Sequence, residues 1–112
     1  MPVHNLNRTI AVSLIEQGAA GSTDLVTAPG PGLKIYVVEI VLAMTPAGTI
    51  RFTEGTGPTN LTGPIPLAAS TPLVVIGDGI NHVLATGAAN VKLSITTVTG
   101  AASGWISYFV AA

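Results

Sequence analysis

The chain has 112 residues, of which 8% are charged and 48% hydrophobic, with no cysteine and a formal net charge of −1 at pH 7. A typical soluble domain is about 25% charged. The absence of cysteine excludes thiolate metal sites and cysteine nucleophiles, and four separate Lys and Arg residues argue against nucleic-acid binding, which needs several phosphate contacts. The shortage of charge indicates that part of the surface is hidden against other chains.

β-Branched residues and leucine alternate with period two along much of the chain, whereas 13 glycines and eight prolines leave few windows for a helix. Such alternation predicts half-buried β-strands. It predicts that Ile50 and Phe52 point inward, and it places residues 10, 12 and 14 on one side of the first strand and residues 11 and 13 on the other. In chain order, the predicted strands cover residues 9–15, 22–28, 33–44, 49–54, 64–67, 73–76, 82–86, 91–98 and 105–110. Since proline cannot donate to a ladder, residues 64–67 form either an edge strand or an extended loop.

The longest predicted strand, residues 33–44, changes phase midway. One extra residue would restore a continuous inward side, so we predict a β-bulge near Val37 and Val38. The alternative is a strand buried on both faces, for instance by a neighbouring chain. A second change of phase is predicted at Thr96 and Thr97.

Turns join these segments. Residues 46–48 are predicted to close a hairpin between the long strand and residues 49–54, and residues 100–104 are predicted to turn into the last strand. Turns every 8–15 residues or so predict an all-β, antiparallel, jelly-roll-like β-sandwich of about eight short strands. The chain is taken as a single domain, residues 1–112. It contains neither a signal-peptide pattern nor an uninterrupted apolar run long enough to span a membrane.

Few residues of this sequence suggest chemistry. His4 and His82 could hold a metal with Asp78, but no ligand spacing supports such a site, so no metal, cofactor or catalytic residue is predicted. Glu39 lies within an apolar strand, and because an unpaired buried charge is costly, we expect it either to pair with a cation across strands or to lie on an exposed face. The candidate cations are Lys34, Arg51 and Lys92.

Aromatic residues cluster in the last strand, where Trp105 and Phe109 share one side and Ile106 points to the other. That side is either a contact surface, since aromatic residues are enriched at interfaces, or simply buried between two sheets. Trp105, Phe109, Tyr36 and Val38 are the candidate interface residues.

Several segments resemble a known family. They are Ala28-Pro-Gly-Pro-Gly-Leu-Lys-Ile-Tyr-Val37, Thr49-Ile-Arg-Phe52, Leu61-Thr-Gly-Pro-Ile-Pro-Leu-Ala68, Val91-Lys-Leu-Ser94 and Gly104-Trp-Ile-Ser-Tyr108. Together they resemble the small jelly-roll virion proteins of tailed bacteriophages, namely capsid decoration (cement) proteins and related head or tail accessory proteins.

That resemblance implies a homotrimer bound to the major capsid protein on the outside of a virion, made in the host cytoplasm, with residues 1–8 as an N-terminal arm. It implies no enzyme activity, nucleic acid or membrane. The alternative is a receptor- or glycan-binding domain of a fibre or spike, with binding loops at residues 53–62 and 76–82. A cupin-like enzyme is a third hypothesis, weakened because the chain has only two histidines.

Overall fold

The computed structural model describes residues 9–77 and 82–112, in which all regular structure is β. Its ten strands are β1 (Ala11–Gln17), β2 (Gly21–Val26), β3 (Lys34–Thr45), β4 (Gly48–Glu54), β5 (Thr59–Asn60), β6 (Ile65–Leu67), β7 (Leu73–Ile76), β8 (Leu84–Ala85), β9 (Leu93–Thr97) and β10 (Ala101–Ala111). Within the described residues, no helix is long and apolar enough to cross a membrane.

The strands form two antiparallel sheets. The first sheet has the order β1-β10-β3-β7, with β8 also beside β3, and the second has the order β2-β9-β4-β5, with β6 also beside β4. The chain changes sheet at most of its connections, as in the paired Greek keys of a jelly roll. The predicted jelly-roll-like β-sandwich is therefore confirmed.

The core lies between the sheets and follows the alternation of the strands. Ile50 and Phe52 of β4 point inward, as predicted, and meet Ile106 of β10 and Leu42 of β3 in one buried cluster. Each of these four side chains is at most 1% exposed. Because successive residues of a strand point to opposite faces, this core leaves every second residue of the first sheet on the outside.

The predicted β-bulge is present in β3. Ser107 of β10 pairs with Glu39, but the next residue, Tyr108, pairs with Val37, so Val38 is the extra residue. Val37 points into the core, whereas Val38 lies outside the core cluster although it is only 8% exposed. The bulge keeps the buried side of β3 continuous and places both Val38 and Glu39 on the outer side.

The hairpin predicted between residues 33–44 and 49–54 is wrong. β3 and β4 follow each other in the chain, but they belong to different sheets and pair with other strands. The turn at residues 46–47 carries the chain from one layer of the sandwich to the other. Turn composition identifies where a strand ends, whereas the strand it next pairs with depends on how the two sheets bury their apolar sides.

Two further predictions are corrected. Residues 101–104 belong to β10 and not to a turn, since Gly104 lets the backbone of β10 approach β3 closely. β9 keeps its alternation through Thr96 and Thr97. Thr97 points inward although it is polar, and its hydroxyl accepts a hydrogen bond from Nε2 of the buried Gln17 at 2.8 Å.

The remaining strands lie close to their predicted positions and differ from them by a few residues at their ends. β6 pairs with β4 alone in this sheet, which confirms an edge position for the proline-containing segment. β5, a strand of two residues, lies in a stretch that the sequence predicted to be a loop. The expected arm, residues 1–8, lies outside the described residues.

Candidate functional site: the outer face of the first sheet

The outer side of the first sheet is apolar across its full width. We call this surface the outer face, and its apolar members are Ile10, Val12, Leu14, Tyr36, Val38, Val41, Val74, Ile76, Trp105 and Phe109. One row runs across four of the five strands without a polar side chain: Leu14 pairs with Trp105, Trp105 with Val41, and Val41 with Val74. Leu14 is 61% exposed and Val74 is 52% exposed.

The second sheet has the opposite character. Its outward side chains form polar pairs between strands: Ser22 and Thr96 share a hydrogen bond of 2.7 Å between their hydroxyls, and Ser94 donates to Asp24 at 2.9 Å. An antiparallel sheet with one solvated side normally has apolar residues inside and polar residues outside. The second sheet follows this pattern and the first does not, so the outer face is the unusual surface of the molecule.

All four candidate interface residues lie on the outer face. Trp105 is 40% exposed, whereas Phe109 is only 5% exposed because the Tyr36 ring stacks on it with centroids 5.0 Å apart. Val38 is the bulge residue. The structure thus brings together residues from β3 and β10 that are about 70 positions apart in the chain. Their role in an interface remains a prediction.

The contribution of the two outer strands to the outer face was not predicted from the sequence. Val12 of β1 and Ile76 of β7 are 61% and 65% exposed, and they complete the outer face at its two sides. The available signal was the alternation of Ile10, Val12 and Leu14. That alternation does not identify its inward side, because Ile15, which continues the opposite side, is also apolar and is fully buried.

Glu39 is the carboxylate near the centre of the outer face. Of the two predicted outcomes, the structure agrees with the exposed face, since Glu39 is partly exposed, and not with a cation partner. Oε1 of Glu39 accepts hydrogen bonds from Nε1 of Trp105 at 3.0 Å and from Oγ of Ser107 at 3.3 Å. The ion pair found among the described residues joins Lys92 to Asp24 on the second sheet. Glu39 instead lies opposite Ser107 and Ile76, which are uncharged neighbours.

A shallow depression of about 230 Å³ lies beside Glu39 on the outer face. Ile10 and Ile76 line it from the two sides of the sheet, and Val38 and Ser107 line it from the central strands. The bulge creates this shape, since it turns two successive residues of β3 outward. The outer face therefore combines protruding apolar side chains with a recess of the size of one or two side chains.

Residues with metal-binding potential do not gather in the described structure. In residues 9–77 and 82–112, no group of three or more His, Asp or Glu side chains is arranged to hold an ion. His82 contacts the edge of the Tyr36 ring, with centroids 5.1 Å apart. His4 and Asp78, the other members of the site considered from the sequence, lie outside the described residues.

Asp24 and Lys92 form an exposed ion pair beside the second sheet, with Lys92 Nζ 3.0 Å from Asp24 Oδ1. The hydrogen bond from Lys92, and then the one from Ser94, hold the pKa of the Asp24 carboxyl below its usual value. The pair therefore stabilises the folded state above about pH 4, and this contribution is lost as the pH falls through the lowered pKa.

We expect Asp24→Asn to remove part of the acid sensitivity of the protein. Between about pH 5 and pH 2, the unfolding free energy of the variant should fall slightly less than that of the parent, because an exposed pair contributes little. Urea titrations at several pH values measure this, with Glu16→Gln as the control. Parallel pH curves for Asp24→Asn and parent would contradict the assignment.

Glu54 is a buried carboxylate with a structural role. It is 8% exposed, and its two oxygens accept hydrogen bonds from the backbone N–H groups of Gly87 at 2.6 Å and Ala88 at 3.2 Å. These bonds fasten the connection before β9 to the end of β4. The carboxylate accepts hydrogen bonds from two backbone N–H groups of a loop that has no β-sheet partner at this point.

Replacing Glu54 by alanine should therefore destabilise the protein by about 2 kcal/mol, because two N–H groups lose a charged acceptor. Glu54→Gln keeps one carbonyl oxygen and should lose about half as much. Chemical denaturation measures both, and the exposed Glu16→Ala serves as the control. Equal stabilities for Glu54→Ala and Glu16→Ala would show that the loop does not depend on this carboxylate.

Comparison with known proteins identifies no relative of this chain. No protein-family model matches the chain, and no curated protein or solved structure is similar to it at a significant level.

Proposed function

We propose that this protein is a structural protein of a virus particle, a capsid decoration protein that stabilises an assembled phage head from outside as a homo-oligomer. The observation that supports this proposal is the outer face: a jelly roll of low charge has an apolar surface spanning four of the five strands of one sheet. Large exposed apolar patches mark sites of protein contact. That the partner is a virus particle is proposed from the family resemblance alone. No catalytic step is assigned to the protein.

The mechanism would be thermodynamic. A protein that binds the assembled shell, and does not bind its separated subunits, stabilises the shell by mass action. Contact surfaces poor in charge contribute roughly 25 cal/mol for each Å² of apolar area buried, before the cost of association. Repeated contacts around a shell add to this effect because each bound copy ties neighbouring subunits together.

The test uses heads of the phage that encodes this chain, expanded and stripped of the protein. Added protein should bind them at saturable stoichiometry and raise their melting temperature by several degrees. Co-sedimentation measures binding, and differential scanning calorimetry measures the melting of the shell. Saturable binding without any rise in melting temperature would reject the stabilising mechanism, and absence of binding would reject the decoration role.

The glycan-binding alternative is favoured by one observation. A depression of about 220 Å³ at the end of the sandwich is lined by Asp24, Asn90 and Lys92 together with Thr56 from the predicted loop 53–62. A glycan array with purified protein tests it. Binding of a defined saccharide that Lys92→Ala abolishes, and that Lys34→Ala leaves intact, would favour the receptor-binding function over decoration.

A further inference from the structure

We propose that the outer face packs against the outer face of a second copy of this chain, so that two first sheets form the contact between copies. The inference rests on the proposed function for the idea that the protein assembles, and it adds the surface that the copies share. Two features of the described residues favour a second copy as the occupant, namely the size of the outer face and the distribution of its charges.

The outer face has the size that a stable pair requires. The strands of the first sheet range from two residues to 12 residues. At about 3.4 Å per residue and about 4.8 Å between strands, together they give a surface of roughly 600 Å² in projection. A standard interface buries about 800 Å² on each partner, with a lower limit near 600 Å². Packing over the whole outer face therefore reaches the stable range, whereas packing over one strand would not.

The charges at the two ends of the outer face, Lys34 and Glu16, are complementary to each other. Lys34 and Glu16 point to the same side as the apolar residues, but they lie at opposite ends of the sheet. Lys34 is paired with Ala111, and Glu16 with Ser103, whose partner in β3 is Ala43. The two charges are thus roughly 30 Å apart along the strands. Two copies stacked with opposite strand directions would bring the acidic end of each towards the basic end of the other.

The centre of the outer face also fits a like partner. Apart from Glu39, the central rows contain no ionised side chain that would require an opposite charge on a different protein. Glu39 itself already accepts two hydrogen bonds from neutral donors within the same face. The recess beside Val38 provides a hollow, and the exposed Leu14 and Val74 of the neighbouring row provide the projections that face-to-face packing needs.

The first test measures the mass of the assembly. Sedimentation equilibrium at about 10–100 µM should give twice the chain mass of 11.2 kDa, or an even multiple of it. Val12→Lys places a cation in the contact of both copies and should raise the dissociation constant at least a hundredfold. Val98→Lys is the matched control, because Val98 has the same 61% exposure and lies outside the first sheet.

A wild-type monomer at 100 µM would overturn the proposal, and so would a trimer. Equal association of Val12→Lys and Val98→Lys would also overturn it. If Val12→Lys fails to fold, single-cysteine variants decide the question, because the chain has no cysteine of its own. The thiol of Val12→Cys should react slowly with a maleimide in the assembly, and that of Val98→Cys should react fast. Equal rates at high concentration would overturn the proposal.

Glu39→Gln distinguishes a second copy from a partner of opposite charge. The variant keeps an oxygen that accepts from Trp105, but it removes two charges from the paired interface, so self-association should tighten about tenfold. A basic partner would instead lose an ion pair. Weaker association of Glu39→Gln than of the parent would therefore overturn pairing between like faces.

Trp105 provides an internal probe because it is the chain's one tryptophan and lies on the outer face. Its emission should shift to longer wavelength when the protein is diluted through the dissociation constant. Emission independent of concentration in an assembled sample would overturn the proposal. An assembled protein that fails to bind phage heads would reject the proposed function alone, whereas a monomer that binds them would reject only this inference.

Discussion

Gly104→Ala is expected to destabilise the protein by about 3 kcal/mol or more. Gly104 has a φ of +149° within β10, a conformation that L side chains rarely adopt. A Cβ atom there would overlap the carbonyl oxygen of Val41 and lie 2.7 Å from Cα of Leu42. The overlapped atoms belong to the backbone of β3, so no side-chain rotation relieves the contact.

The consequence reaches the outer face, because β10 and β3 are its two central strands. Separating them at Gly104 would displace Trp105, the next residue. Thermal unfolding followed by circular dichroism should show a melting temperature lower by about 10 °C or more. Gly57→Ala is the control, since its added Cβ would meet nothing within 4 Å. Similar melting temperatures for the two variants would contradict the close approach.

Phe52→Ala is expected to cost about 3–5 kcal/mol of unfolding free energy. Phe52 is 1% exposed and belongs to the core cluster between the sheets. It also lines an apolar cavity of about 180 Å³, together with Ile40 and Val75. Removing the ring would enlarge a space that already exists, and rigid sheets on both sides limit how far the surroundings can close over it.

Urea denaturation measures this loss, and Phe52→Leu should retain most of the stability because it keeps much of the buried volume. The exposed Val98→Ala should change the unfolding free energy by less than about 0.5 kcal/mol. A loss below about 1 kcal/mol for Phe52→Ala would show that the two sheets approach each other and close the space left by the ring.

Much of the strand content was predictable, because alternation and turn residues act locally. The strand at Leu73–Ile76 has the predicted bounds, and the bulge at Val38 follows from counting apolar residues along β3. The inward position of Ile50 and Phe52 was also predicted. These predictions hold because each depends on residues within about ten positions of one another.

Pairing and the candidate site were less predictable. The hairpin between β3 and β4 was expected from a short turn, but the jelly roll places these strands in different sheets. For Glu39 the prediction was a cation partner or an exposed face, and neither alternative named its actual donors, Trp105 and Ser107, which come from a strand more than 60 residues away. Local patterns do not encode which distant strand lies alongside.

The sequence by itself determined a β-rich chain with too little charge to solvate all its surface, and it identified two alternating sides on β1. Only the tertiary structure decided which side faces solvent. Ile15 is buried against the second sheet, and the opposite row of Ile10, Val12 and Leu14 faces outward. Each side carries at least one large apolar residue, so alternation alone does not give their direction, which depends on the register with β10 and is set by burial in the whole sandwich. The register of β1 therefore places its apolar side chains on one defined surface, the outer face.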